Sequence, residues 1–182
     1  MTIRTAFLLA VGLLLVACGG RSRANPEQTL YTLTNLHPDE GRHQLYSVNY
    51  QSEGLIPRCT PVSVLALNRK RAVIQINSSG VKYTYGFHTR SMREDVQTHM
   101  NKYFGPECDV NRPAALSQAD QAGIRDGQIY EGMSKEGVIL AVGYPPEHRT
   151  PTLDSDVWVY WRTRMATFEV IFEGGVVKYI RD

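Results

Sequence analysis

Between Leu30 and Phe87, short runs of β-branched and aromatic residues alternate with turn-forming clusters, a rhythm of strands rather than helices. The runs predict strands over Leu30–Leu36, Gln44–Tyr50, Val62–Leu67, Arg71–Ile76 and Val81–Phe87. In the fourth run Ala72, Ile74 and Ile76 share one side and Val73, Gln75 and Asn77 the other, so one face is core. The connections suit turns: Pro38 and Asp39 before Gly41, a polar corner at Asn68–Lys70, and Gly80 where a positive φ is tolerated. Short strands spaced this closely predict a small, strongly bent antiparallel sheet, for which an SH3-like barrel is one arrangement.

The period then changes. Met92, Val96, His99, Met100 and Tyr103 recur at helical spacing, with Ser91 and Glu94 placed as a capping box and Gly105–Pro106 as the stop. His99 on this apolar stripe reads as a core histidine with one hydrogen bond. Ser117 and Asp120 form a second capping box for a helix that closes at Gly127. Ser134 caps a third, with Val138, Ala141 and Val142 inward and Gly143, Pro145 and Pro146 ending it. A meander over Val157–Thr163, Ala166–Glu173 and Val176–Arg181 follows, with Gly174–Gly175 at its second turn. In its first strand the mixed set Trp158, Tyr160 and Arg162 is expected on the outer face, and the more apolar set Val157, Val159 and Trp161 on the inner. Trp158, Tyr160 and Arg162, with Tyr144, are thus the candidate partner-binding residues. The fold class expected is α+β: a small antiparallel β module with one helix over 29–112, then two helices on a three-stranded antiparallel sheet over 113–182.

The first residues follow a different logic. Arg4 precedes an apolar run from Ala6 to Val16, too short for the roughly 20 residues of a spanning helix and suited to a secretory signal over 1–17. It ends in Leu15-Val16-Ala17-Cys18-Gly19, which resembles the lipobox of bacterial lipoproteins. That resemblance implies cleavage before Cys18, lipidation of Cys18 on its sulfur and new amino group by fatty acyl chains such as palmitate, and, with Gly19, sorting to the outer membrane facing the periplasm. Two or more acyl chains at about 0.8 kcal/mol per buried CH2 make a stable anchor. Residues 18–28 read as a polar tether. Export leaves Cys59 and Cys108 in an oxidising compartment, where a disulfide is expected and two free buried thiols are the alternative.

Twenty Lys and Arg against 18 Asp and Glu give a net charge of +2, too little and too dispersed for a nucleic-acid binder. The sequence holds no G-x-S-x-G, phosphate-loop or H-E-x-x-H motif, so neither catalysis nor a cofactor is expected. His37, Asp39 and His43 form the densest polar cluster, a conceivable metal set that reads instead as a solvated hairpin turn. No metal is expected.

Four spaced segments carry a further resemblance: Gly132-Met133-Ser134-Lys135-Glu136-Gly137-Val138, Val142-Gly143-Tyr144-Pro145, Trp158-Val159-Tyr160 and Phe172-Glu173-Gly174-Gly175-Val176-Val177. In this order they resemble the SmpA/OmlA module, the family of the small lipoprotein of the outer-membrane β-barrel assembly machinery. The resemblance implies two helices packed on a three-stranded antiparallel sheet, a fold shared with a β-lactamase inhibitor protein, and binding rather than catalysis. Nothing between Cys18 and Gly132 matches that lipoprotein's Q-G-N-type partner segment, and a β module stands in its place. The function expected is a lipid-anchored, non-catalytic adaptor with a protein partner in an envelope complex. The alternative is a peptidoglycan- or peptide-binding lipoprotein that tethers the outer membrane to the cell wall.

Overall fold

Alternating burial builds the first half of the computed structural model, which describes residues 24–182. Strands β1 (Thr29–Thr32), β2 (Gln44–Tyr46), β3 (Pro61–Leu67), β4 (Arg71–Ile76), β5 (Lys82–Gly86) and the two-residue β6 (Phe104–Gly105) form one curled sheet in the order β2-β5-β4-β3-β1-β6. Val62, Val64, Ala72, Ile74, Tyr83 and Tyr85 point into the core, as the alternation requires. The pairs are antiparallel except β2 with β5, which run parallel through Leu45 opposite Tyr85. An all-antiparallel module is therefore corrected: after pairing with β3, the chain from β1 crosses to the far edge and arrives alongside β5 in the same direction.

Helix α1 (Val96–Tyr103) closes this core with Met100 and Tyr103. Its N-cap is Asp95, not Ser91: the Asp95 carboxylate accepts from the amides of Gln97 at 2.8 Å and Thr98 at 3.0 Å. Glu94 is drawn instead to His99 and Lys102, while Ser91 closes a turn onto His88. Cys59 and Cys108 are disulfide-bonded with Cα atoms 5.4 Å apart, tying the segment before β3 to the one after β6. Beside the bond, Arg58 donates to the Asp109 carbonyl at 2.7 Å. The expected tether is shorter than 18–28, because Ala24 packs on this core and Gln28 N–H closes a turn onto Asn25 at 3.1 Å. The signal segment and Cys18 lie outside the described residues.

The second half carries α2 (Gln118–Asp126), α3 (Lys135–Val142) and the antiparallel sheet β7 (Val157–Trp161), β8 (Thr167–Glu173), β9 (Val176–Arg181), giving an α+β fold. The Ser117–Asp120 capping box, the Ser134 cap and the left-handed Gly127 all form. Gly174 and Gly175, at φ 59° and 82°, turn β8 into β9. The face assignment of β7 is reversed for Trp158, Tyr160, Val157 and Trp161, whereas Val159, expected inward, is buried as well. Trp158 and Tyr160 are 0% exposed, in the core with Phe168, Val170 and Phe172. Val157 is 38% exposed, and Trp161 is half-buried on the opposite face. The aromatic pair fills the space under two short helices, with Trp158 against Phe172 at 4.8 Å and Tyr160 stacked on Phe168 at 5.6 Å.

Candidate functional site

A helix leaves its last carbonyls without intrahelical donors. In α3 the first half of the chain supplies them. Leu140 O accepts from the Asn35 amide at 2.9 Å, Ala141 O from His37 Nε2 at 3.2 Å, and Val142 O from Asn49 Nδ2 at 2.8 Å and Gln51 Nε2 at 3.1 Å. Asn49 Nδ2 also reaches Tyr144 O at 2.8 Å, and Asn35 Nδ2 donates to Ile124 O at 2.7 Å. Asn49 sits at φ 53°, a left-handed conformation that asparagine tolerates. The Gln51 amide donates to Trp161 O at 2.9 Å, so the chain after β2 also covers the edge of β7. These contacts make a polar seam between the two cores.

His37 is 6% exposed within the seam, and burial pushes its pKa below the ordinary value while its backbone acceptors oppose that shift. It is thereby separated from Asp39, which caps its own turn by accepting the Arg42 amide at 3.0 Å, and from His43, which packs on Tyr83. The solvated-turn reading therefore holds for Asp39 and His43 but not for His37. Among the described residues no group of three potential metal ligands converges.

Above the seam runs a chain of polar contacts. Tyr85 OH meets His99 Nε2 at 2.9 Å, His99 Nδ1 meets Glu94 at 3.0 Å, and Lys102 bridges Glu94 at 2.6 Å to Glu147 at 2.8 Å. His99 thus has two partners, not the one expected. Burial lowers its pKa and the Glu94 carboxylate opposes that shift. Glu147 also accepts the Arg93 amide at 2.8 Å, joining the lead-in to α1 to the segment after α3. The cavity beside this chain measures ≈ 80 Å³, room for a few waters and far below the roughly 300–1,000 Å³ of organic ligand sites. Burial raises the pKa of Tyr85, Tyr103 and Tyr160. Each hydroxyl has a structural partner: His99, the Tyr144 amide and the Gly143 carbonyl respectively. The perturbed groups are accounted for by packing.

The seam reaches the surface in an aromatic and basic cluster. Tyr46 packs edge-on to Tyr50 at 5.3 Å and to His88 at 5.5 Å. Trp161, bridged to Tyr50 through the backbone, stacks on His148 at 6.2 Å with the Arg149 guanidinium 5.9 Å from its ring. Burial lowers the pKa of both His88 and His148, and neighbouring cations add to this, Arg164 on His88 and Arg149 on His148.

The four candidate partner-binding residues are not brought together. Trp158 and Tyr160 are interior, Tyr144 is half-buried at the seam under Lys102, and Arg162 is exposed and paired with Asp182. The sequence reading missed Asn35, Asn49 and Gln51. Their one signal is an amide side chain set inside or just after an apolar strand-like run. Compared with known proteins, the chain matches no family model, no curated protein and no solved structure.

Proposed function

We propose that this chain is a lipid-anchored, non-catalytic adaptor of a bacterial envelope complex, held at the outer membrane through Cys18 and presenting one rigid body to a periplasmic protein partner. The observation that carries the reading is the seam. Buried carbonyls of α3 answered by side chains from the other half fix two cores in one orientation, as a scaffold requires. Export is supported by the Cys59–Cys108 bond, since such bonds persist in oxidising compartments. The segments that resemble the SmpA/OmlA module fall on the turn into α3, the end of α3 at the seam, the core of β7 and the β8–β9 hairpin.

Mass spectrometry of the N-terminal peptide from bacterial membranes tests the anchor, with an acylated Cys18 at the new terminus as the expected result. An intact Met1 with an unmodified Cys18 overturns it. Purification of the lipidated protein from envelopes tests the adaptor role, with a stoichiometric protein companion expected. Sedimentation with purified sacculi in place of a companion favours the cell-wall tether.

A further inference from the structure

The aromatic and basic cluster on the seam is not used by either core. It exists only because the cores are docked, since Tyr46, Tyr50 and His88 come from the first half and His148, Arg149 and Trp161 from the second. Its composition is that of binding hot spots, rich in Tyr, Trp and Arg. Tyr46, Tyr50, His88 and Trp161 are half-buried and braced on their ring neighbours, so little side-chain entropy is lost when something is laid across them.

The charge around the rings that has no ion-pair partner is positive. Arg149 and Arg164 are exposed and form no ion pair among the described residues. The nearby acids are engaged elsewhere, Glu147 by Lys102 and Asp182 by Arg162. Next to Arg164, at the tip of the β7–β8 hairpin, Met165 is 96% exposed, an adaptable apolar contact. We propose that this surface docks an extended, acidic segment of the partner protein, its carboxylates on Arg149 and Arg164 and its apolar side chains on Tyr46, Tyr50, Trp161 and Met165. Unpaired guanidiniums recognise carboxylates in bidentate fashion, and a braced ring platform accepts alternate side chains of an extended strand. A bilayer is less well matched, because it rewards projecting apolar groups, whereas Tyr46, Tyr50 and Trp161 are half-buried, with Tyr46 and Tyr50 braced edge-on against each other and His88.

This inference names the surface of the proposed adaptor, and its test is independent of the anchor. The purified chain, with its disulfide intact, is titrated against a fluorescein-labelled peptide alternating Glu and Leu and against the same peptide with Gln for Glu. The expected result is saturable binding of the Glu peptide that weakens as salt is raised, with the Gln peptide at least about tenfold weaker. Arg149→Gln combined with Arg164→Gln is expected to weaken the Glu peptide by about tenfold or more at unchanged melting temperature, and Tyr50→Ala by a similar factor. Equal binding of both peptides, undiminished binding by the double arginine variant, or no peptide binding overturns the proposal. So does binding to vesicles of phosphatidylethanolamine and phosphatidylglycerol, or to sacculi, without peptide binding. An unmodified Cys18 beside normal Glu-peptide binding removes the anchor and leaves the surface. An acylated Cys18 with a companion protein but no peptide binding removes the surface alone.

Discussion

Asp120 is 2% exposed, yet its two carboxylate oxygens organise the starts of two helices. One oxygen accepts from the Ser117 hydroxyl at 2.8 Å and the other from the Ser134 amide at 2.7 Å. Negative charge at helix N-termini is favoured, and the surrounding donors lose their partners without it. Asp120→Ala should therefore lower the unfolding free energy by about 3 kcal/mol in urea titration. Gly137 touches the same carboxylate so closely that an added Cβ would overlap it. Gly137→Ala is expected to cost about 2–3 kcal/mol despite alanine's better helix propensity. The aromatic residues of β7 invert the sequence expectation. Tyr160→Ala, which empties a core site and leaves the Gly143 carbonyl unpaired, should cost about 3–5 kcal/mol, and Trp161→Ala markedly less. Melting curves of the two variants decide which ring is structural. This was illegible because Arg162 lies beyond the end of the strand and says nothing about the face that Trp158 and Tyr160 occupy.

At the scale of elements, boundaries followed from local chemistry wherever a cap or turn residue acts within its own segment. Strands β3, β4 and β9, the capping box of α2, the left-handed Gly127 and the glycine hairpin all form where alternation and turn residues place them. The start of α1 did not, because Ser91 and Asp95 are both good caps and the choice fell to Glu94, recruited by a buried histidine and a lysine. The parallel pairing of β2 and the two-residue β6 are equally non-local, since neither segment is long enough to show a period. Asn49 bears on α3 from another part of the chain. Asn49→Ala should destabilise by about 2–3 kcal/mol, by removing its bonds to Val142 and Tyr144 and by placing alanine at φ 53°. Reducing Cys59–Cys108, which closes a separation of 49 residues, should cost about 4 kcal/mol, read from denaturant curves with and without reductant.

Over the whole molecule, histidines report how the cores are joined. His37 in the seam and His99 above it are both held below the ordinary 6.5 by burial. The unfolded chain binds protons near 6.5 while the folded chain resists them, so unfolding takes up protons and stability falls as pH drops below that value toward the folded pKa. Melting temperature should therefore decline on acidification from neutral pH, and His99→Gln should flatten the slope. The sequence by itself determined the α+β class, most of the strands and two of the three helix caps, because each depends on neighbours within a few residues, while the Cys59–Cys108 bond, expected with free thiols as the alternative, was decided by the fold that brings the two Cα atoms to 5.4 Å. Only the tertiary structure decided which face of β7 is core, where His37 goes and how the two halves lock. Those outcomes depend on unpaired carbonyls at the end of α3 and on the polar side chains that the folded first half brings to them, across separations of 91 to 104 residues. No local pattern encodes such a match, since a helix terminus accepts any donor and its partner is chosen by the packing of both cores.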